Sequence, residues 1–385
     1  MALDSSTREA LVAEVRAFVT EQLIPAEREV ADSDLIPPSI VEQMRQLGLF
    51  GLSVPEAYGG LGLSMEDEVY IMFELGRASP AFRSLIGTNV GIGSQGIVMD
   101  GTDAQKARFL PPIASGEVIA SFALTEPEAG SDAASLRTTA HREGAFYVLN
   151  GAKRFITNAP HAGLFTVMAR TDPDKPGAAG ISAFIVEKGT PGLSVGRPER
   201  KMGQQGAHIA DVVFDNCRVP AENLIGGIEG QGFKTAMKVL DRGRLGISAA
   251  CVGLASRILE ESVAYALERR QFGHSISDYQ LIQAMIADSR TEIYAARCMV
   301  LETARARDAD ADIGTEASAC KLFASEMVGR VADRNVQIHG GAGYIADYPA
   351  ERHYRDVRLY RIYEGTSEIQ RLKIARDTLR EGRTG

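Results

Sequence analysis

Cysteine is scarce in this sequence and tryptophan is absent. The four cysteines, Cys217, Cys251, Cys298 and Cys320, lie far apart, with no CxxC pair and no paired histidines. Such spacing favours free thiols over a disulfide framework or a zinc site. The first residues show neither a signal peptide nor a transit peptide. We therefore expect a cytoplasmic protein without a bound metal.

Long apolar runs and an excess of basic charge are also missing. The longest uncharged run, residues 84–99, contains polar residues and is shorter than the roughly 18–20 apolar residues that span a bilayer. The 42 Lys and Arg are outnumbered by 50 Asp and Glu, which gives a net charge of −8. No basic stripe of the kind that binds a duplex stands out. We expect a protein that binds neither a membrane nor a nucleic acid.

The 385 residues are enough for two or three packed units. Helical spacing of apolar residues predicts helices from residue 5 to about 115, with Leu11, Val15, Phe18 and Val19 on one face. Short β-branched runs between 118 and 214 predict an all-β unit, with a hairpin turn at Asn150-Gly151. Long helices are predicted near 233–270, 278–308 and 315–338. The predicted domains are 1–117, 118–230 and 231–385.

The segment Gly91–Gly96 satisfies the GxGxxG pattern of dinucleotide-binding folds. That site needs a preceding strand and a helix that begins at the pyrophosphate. Here the segment lies in a helical zone and Asp100-Gly101 follows closely. We reject the dinucleotide interpretation and expect the small residues to allow close approach to another backbone or a ligand.

Three other segments carry more specific signals, at residues 124–132, 153–158 and 362–370. In the last of these, Ser367 and Gln370 have the spacing of a capping box, which predicts a helix from about residue 368. Glu364 then lies in the loop before that helix, and Gly365 permits a sharp turn. A single glutamate in a loop is usually only solvated, so Glu364 alone indicates no chemistry.

Taken together, the three segments closely resemble the acyl-CoA dehydrogenase family. The resemblance extends over nearly the whole chain and includes the segments 240–244, 268–273 and 337–343. It implies a helical amino-terminal domain, a middle β-barrel or sandwich domain and a carboxy-terminal four-helix bundle. It also implies bound FAD, an acyl-CoA substrate, an electron-transfer flavoprotein as partner and a homotetramer.

Residue by residue, the resemblance implies two groups of FAD contacts. The isoalloxazine ring is expected against Phe122, Leu124, Thr125, Gly130, Ser131, Phe155 and Thr157. Phe155 stands where family members often have tryptophan. Further FAD contacts, partly across a subunit interface, are implied at Arg269, Phe272, Gln280, Gln337, Gly340, Gly341, Thr366 and Glu368. Glu368 departs from the commoner glutamine.

The resemblance also implies the reaction. Glu364 would remove the α-proton of the thioester while the β-hydride moves to flavin N5, and burial beside the flavin would raise the pKa of Glu364. Gly365 is expected to contact substrate, and Asp241, Arg244 and Ser131 to contact its CoA part. Some relatives carry the base near residues 241–244, where this chain has Gly243.

Arg83 begins the uncharged segment that lines the end of the acyl pocket in this family. Glutaryl-CoA dehydrogenases resemble this chain at Arg83-Ser84, and there the arginine binds the distal carboxylate of the substrate. Burying an unpaired charge is unfavourable, so one hypothesis is an acyl chain with an anionic or polar tail. The alternative is that Arg83 pairs with a nearby acid, such as Glu74, and never meets substrate.

Other functions are also compatible with parts of the pattern. Acyl-CoA oxidases of related fold usually carry an extra carboxy-terminal domain, and the related monooxygenases lack the base that Glu364 supplies. A non-catalytic branch binds nucleic acid through a basic extension, which the acidic balance of this chain does not favour.

Overall fold

A computed structural model describes residues 3–175 and 177–384, so the predicted domain ends at residues 1 and 385 lie outside the described residues. The first part of the chain is helical, as predicted. In the first helix Val15 and Phe18 are buried on one face, and Val19 continues that face. The helix bounds are α1 Ser5–Phe18, α2 Ile24–Ser33, α3 Pro38–Gln46, α4 Met65–Leu75, α5 Pro80–Gly87, α6 Gln95–Asp100 and α7 Asp103–Ala114.

The middle of the chain forms a seven-stranded sheet. The strands are β1 Ala120–Ala123, β2 Thr139–Glu143, β3 Phe146–Thr157, β4 Leu164–Arg170, β5 Ile181–Glu187, β6 Leu193–Val195 and β7 Ile209–Pro220. Their order is β1-β4-β2-β3-β7-β6, and β5 pairs with β4. β4 and β5 are buried on nearly every residue because apolar clusters cover both of their faces, one of them shared with α6 and α7.

The predicted hairpin turn at Asn150-Gly151 is wrong. β3 runs straight through both residues, and the turn lies earlier, at Gly144, between β2 and β3. Gly151 has a φ of 149° and sits at a register shift against β7. A Cβ there would lie 2.5 Å from Thr138 Oγ1. The glycine therefore allows a bulge in a long strand, and the local Asn-Gly pattern does not distinguish a bulge from a turn.

Long helices return at Gly232, close to the predicted bounds. They are α8 Gly232–Glu268, α9 Gln280–Asp308, α10 Gly314–His339, α11 Pro349–Val357 and α12 Ser367–Thr384, with the short hairpin β8 Arg270–Gln271 and β9 His274–Ser275 after α8. α8, α9 and α10 pack on one another, and α12 packs on α10. α4 also packs on α8 and α9, so one apolar core joins the first and last parts of the chain.

The rejected glycine motif lies, as expected, in a helical segment. Thr88–Gly93 is a wide helical turn that follows α5 directly and leads to α6, so a helix and not a strand comes before it. A Cβ on Gly93 would lie 2.5 Å from the carbonyl oxygen of Ala120. The glycine thus serves close approach to β1. Within the described ranges, every helix is too short or too polar to cross a bilayer.

Candidate active site

A cavity of about 830 Å³ lies where β1 and β3 meet α5, α8 and the turn before α12. Many of the predicted site residues line it. They are Arg83, Phe122, Leu124, Thr125, Gly130, Ser131, Phe155, Thr157, Asp241, Arg244, Glu364 and Gly365. Residues far apart in sequence therefore converge on one volume, as the resemblance implied.

The turn that carries Glu364 has a left-handed backbone. Glu364 has a φ of 53° and Gly365 a φ of 92°, and the first of these is uncommon for a residue with a side chain. Gln370 Nε2 donates to the carbonyl oxygens of Glu364 at 3.0 Å and of Gly365 at 3.2 Å. Lys321 Nζ donates to the carbonyl oxygen of Gly365 at 2.6 Å. Three hydrogen bonds from Lys321 and Gln370 therefore fix the backbone of this turn.

The predicted capping box is wrong in its members. Thr366 caps α12 with its side chain, which accepts from the backbone N–H of Ile369 at 3.3 Å. Ser367 instead donates to Glu326 at 2.7 Å. Gln370, which its spacing had assigned to the cap, donates instead to the carbonyl oxygens of Glu364 and Gly365. The start of the helix is close to the prediction, but of these polar groups only Gln370 bonds to the Glu364 turn.

The carboxylate of Glu364 lies in the cavity. Its Oε2 atom is buried and has no hydrogen-bond partner among the described residues. Burial raises the pKa of Glu364, while the nearby cations Arg83, Arg244 and Lys321 oppose that rise. A carboxylate with a raised pKa and a free oxygen is suited to accept a proton from a bound molecule.

Gly243 on α8 faces Glu364 directly. A Cβ at this position would overlap Oε2 of Glu364, and it would lie 3.0 Å from Ile92 Cγ2. Gly243 therefore leaves the space that the carboxylate of Glu364 occupies.

Arg83 on α5 lies in the wall of the same cavity and is only 5% exposed. The pairing of Arg83 with Glu74 that we considered is wrong. Glu74 accepts two hydrogen bonds from Arg16, at 2.7 and 3.1 Å. The Nε atom of Arg83 is buried without a hydrogen-bond partner, and no carboxylate in the described ranges forms an ion pair with Arg83. Its guanidinium folds over Gly87, where a Cβ would lie 2.7 Å from it.

Comparison with known proteins decides the family. Residues 5–117, 121–217 and 230–379 match the acyl-CoA dehydrogenase amino-terminal, middle and carboxy-terminal domains. The chain belongs to the acyl-CoA dehydrogenase family. It is 43% identical to an acyl-CoA dehydrogenase of Bacillus subtilis, over 94% of this chain and 95% of the relative. It is equally identical, at 43%, to an NADH-dependent acryloyl-CoA reductase of Anaerotignum propionicum, over 95% and 92%.

Solved acyl-CoA dehydrogenases have the same fold. The butyryl-CoA dehydrogenase of Megasphaera elsdenii superposes with a TM-score of 0.94 at 35% identity, covering 98% of this chain and 99% of that one. A glutaryl-CoA dehydrogenase in complex with glutaryl-CoA gives 0.92 at 33% identity, covering 98% and 96%. A chain from a study of the electron transferring flavoprotein of Acidaminococcus fermentans gives 0.94 at 39%, covering 99% and 100%. The predicted fold class is confirmed, and the protein is an FAD-dependent oxidoreductase of CH–CH bonds.

The cavity fits the isoalloxazine part of FAD. Phe155 has a φ of 58° and is 53% exposed beside the cavity, so aromatic surface remains available for stacking. The guanidinium of Arg154 lies over the Phe155 ring, 4.9 Å from its centroid. Hydroxyl groups of Thr125 and Thr157 line the same wall and suit the polar edge of a heterocycle.

A buried ion pair supports this wall from behind. Lys153 Nζ donates to Glu126 Oε1 at 2.7 Å and to the carbonyl oxygen of Leu124 at 3.1 Å. Glu126 also accepts from the backbone of Arg137 and Thr138. The pair therefore ties β3 to the segment after β1, and both segments carry predicted flavin contacts.

The other predicted FAD contacts lie outside the cavity, in two places. Arg269, Phe272, Gln280, Gln337, Gly340 and Gly341 surround the small apolar cluster of Ala266, Ile276 and Ile338, where the ends of α8 and α10 meet the start of α9. These six residues are exposed, and Phe272 is 92% exposed. Thr366 lies just before α12, and Glu368 lies in its first turn. In a single chain the predicted FAD contacts therefore form three separate groups.

The structure adds residues that the sequence pattern did not single out. Lys321 from α10 is buried beneath the Glu364 turn, and Lys373 and Arg376 on α12 line the cavity. A signal for Lys321 was present, since it occupies a buried position between Ala317 and Ala324 on a helix. In the described ranges, no group of three or more His, Cys, Asp or Glu side chains is placed to hold a metal ion.

Proposed function

We propose that this chain desaturates an acyl-CoA thioester to a trans-2-enoyl-CoA, with Glu364 as the base that removes the α-proton. The observation that carries the proposal is the buried, unpartnered Oε2 of Glu364 in a cavity whose opposite wall fits a flavin. Proton removal next to a carbonyl needs a base placed within hydrogen-bond reach and protected from water. The Glu364 turn supports this role because it places a buried carboxylate oxygen in the cavity.

Burial and the nearby cations have opposite effects on the pKa of Glu364. Burial favours the protonated form of Glu364, and the three cations Arg83, Arg244 and Lys321 favour the carboxylate. The carboxylate takes up the α-proton, and the substrate carbonyl oxygen is expected at the backbone N–H of Glu364. FAD held against Phe155, Thr125 and Thr157 would supply the oxidant for the hydride lost from the β-carbon.

The CoA part is expected on the α8 and α12 side of the cavity. Asp241 and Arg244 form an ion pair there, and Lys373 and Arg376 extend the cationic lining toward the outside. Ser131 and Gly365 complete this part of the proposed site. Lysine and arginine side chains of this kind bind phosphate groups such as those of CoA.

The decisive experiment is anaerobic titration of the FAD-loaded protein with acyl-CoAs, followed by flavin absorbance. We expect wild type to bleach. Glu364→Gln should bind FAD and acyl-CoA but bleach about 10²–10⁴-fold more slowly, the usual contribution of a general base. Bleaching of Glu364→Gln at the wild-type rate would remove Glu364 from the mechanism. Rapid reoxidation by air would identify an oxidase instead.

We further propose a substrate whose acyl tail ends in a carboxylate or another anionic group. The support is Arg83, a buried cation in the cavity wall whose considered partner, Glu74, is already bonded to Arg16. The charge of Arg83 already interacts at a distance with Glu364, but its buried Nε has no direct hydrogen-bond partner, and an anionic tail would provide one. We expect kcat/KM to be higher for adipyl-CoA than for hexanoyl-CoA. A clear preference for hexanoyl-CoA would contradict an anionic tail.

Two partners follow from the same proposal. The similarity to a chain from an electron transferring flavoprotein study, and 41% identity to a caffeyl-CoA reductase–Etf complex subunit, support electron-transfer flavoprotein as the acceptor.

The second set of predicted FAD contacts, with its exposed Phe272, supports a homotetramer in which neighbouring subunits share FAD. Light scattering should give four chains, and a purified flavoprotein should accept the electrons. We keep the domain division at 117 and 230 as part of this proposal.

A further inference from the structure

Lys321 is a buried lysine that the proposed reaction does not use directly. It lies on α10 and is 0% exposed, with Ala317, Ala324 and Val328 on the same buried face of the helix. A lysine in such a position is rare because removing an ammonium group from water is unfavourable. A buried cation of this kind needs a specific interaction that keeps it there.

Its hydrogen bond leads to the Glu364 turn. Lys321 Nζ donates to the carbonyl oxygen of Gly365 at 2.6 Å, and no carboxylate in the described part of the chain forms an ion pair with it. The titratable groups that face it are Cys251 and Arg244 on α8, Glu326 on α10 and Glu364 itself. Burial lowers the pKa of Lys321 to about 8.

The turn needs such a partner because its backbone is strained. Glu364 occupies the left-handed region, which side chains disfavour, and such conformations persist where surrounding contacts fix them. The carbonyl oxygen of Gly365 accepts from Lys321 at 2.6 Å and from Gln370 Nε2 at 3.2 Å. Gln370 also bonds the carbonyl oxygen of Glu364. Both donors therefore act on one peptide segment.

We propose that Lys321 is a positioning residue, whose ammonium group fixes the Gly365 carbonyl and thereby aims the Glu364 carboxylate into the cavity. It touches neither substrate nor the reacting atoms. Its positive charge also stabilises the ionised form of Glu364, although Lys321 does not line the cavity. The inference rests on the proposed role of Glu364 as the base.

The test compares Lys321→Met with wild type as FAD-loaded protein. Methionine keeps the length of the side chain and removes both the donor and the charge. We expect FAD content and acyl-CoA affinity within about threefold of wild type, and flavin bleaching slower by about 10–100-fold, the effect of a small misplacement. The pH at which bleaching is half-maximal should move upward, because Glu364 loses a nearby cation. Lys321→Arg should restore part of the rate.

Lys238→Met is the matched control, since Lys238 pairs with Asp100 away from the cavity lining. It should leave the rate and its pH profile unchanged. A bleaching rate and pH profile of Lys321→Met equal to those of wild type overturn the inference. The same holds if rate and affinity fall together with thermal stability while the pH profile stays in place, since that result describes a purely structural residue.

Two further variants keep the test decisive if Lys321→Met does not retain FAD. Lys321→Gln removes the charge and keeps a shorter donor, and Gln370→Leu removes the second donor to the turn. Because both residues hold the same carbonyl, their effects on the bleaching rate should be non-additive in the double variant. Additive effects contradict a shared role.

If Glu364→Gln itself bleaches normally, the proposed function fails. If only the Lys321 variants bleach normally, this inference alone fails.

Discussion

Gly243 and Glu364 occupy complementary space. A Cβ on Gly243 of α8 would overlap the Oε2 atom of Glu364, whose turn is fixed by hydrogen bonds to Lys321 and Gln370. Ile92 Cγ2 lies 3.0 Å from the same Cβ position, so an added carbon would be crowded by Ile92 as well. The carboxylate of Glu364 therefore fits only because position 243 of α8 has no side chain.

The first prediction is that Gly243→Ala slows the reaction while FAD stays bound. The added methyl group displaces the carboxylate of Glu364, and a displacement of about 1 Å can lower a rate about 10²-fold. Flavin bleaching by acyl-CoA under anaerobic conditions measures the rate. Gly246→Ala, three residues on in the same helix, is the control, since its Cβ would meet only Arg83 Nη2 at 3.5 Å. Equal rates for the two alanine variants would contradict the steric relationship.

The second prediction concerns pH and stability at Glu364. Burial raises the pKa of Glu364 in the folded protein above its unfolded value. The stability linked to this group is then fully present below the unfolded pKa and is lost as pH rises through the folded pKa. Glu364→Gln does not ionise, so its melting temperature should exceed that of wild type at pH 8. The difference should shrink toward pH 4. A constant difference across this range would contradict a raised pKa.

The architecture was largely predictable from sequence because apolar spacing carries it. The long helices α8, α9 and α10 appear within a few residues of their predicted bounds, since each buries a continuous apolar stripe. The hairpin at Gly151 failed for a physical reason. The pair Asn150-Gly151 looks the same in sequence whether the glycine forms a turn or, as here, allows the strand to approach Thr138 closely.

The candidate site was predictable only where a whole motif carried it. The family resemblance led to Glu364 and to the wall formed by Phe155 and Thr157. The position of Lys321 between apolar residues of α10 was a signal, but its partner could not be predicted, because a hydrogen bond to a carbonyl 44 residues away depends on how α10 packs against the turn. The partner of Glu74 was equally hidden, since Arg16 and Glu74 meet only after α1 packs on α4.

The third prediction tests the tail of the substrate through Arg83→Met. Removing the guanidinium should lower kcat/KM for adipyl-CoA by about 10–100-fold, the range for a hydrogen bond to a charged group. The value for hexanoyl-CoA should stay the same or rise, because the uncharged tail no longer meets a buried charge. Arg83→Lys, which keeps the charge, should retain part of the preference. Equal losses for both substrates would show that Arg83 supports only the fold.

The fourth prediction concerns the buried pair of Lys153 and Glu126 behind the flavin wall. Lys153 is 0% exposed, and its removal leaves the buried carboxylate of Glu126 without its cation. Breaking one side of such a pair typically lowers the free energy of unfolding by about 3–5 kcal/mol. Lys153→Met should therefore unfold at a lower urea concentration than wild type. It should also bind FAD more weakly, because Leu124 loses a hydrogen bond from Lys153 to its carbonyl oxygen.

A double variant separates charge from packing at this pair. Lys153→Met with Glu126→Gln removes both charges, so it should recover part of the stability lost in Lys153→Met alone. Lys238→Met breaks the more exposed pair with Asp100 and should change the free energy of unfolding by less than about 1 kcal/mol. Urea unfolding monitored by circular dichroism, with FAD fluorescence as a second readout, measures all three. If the double variant is no more stable than Lys153→Met, the loss comes from packing around the lysine and not from the uncompensated carboxylate.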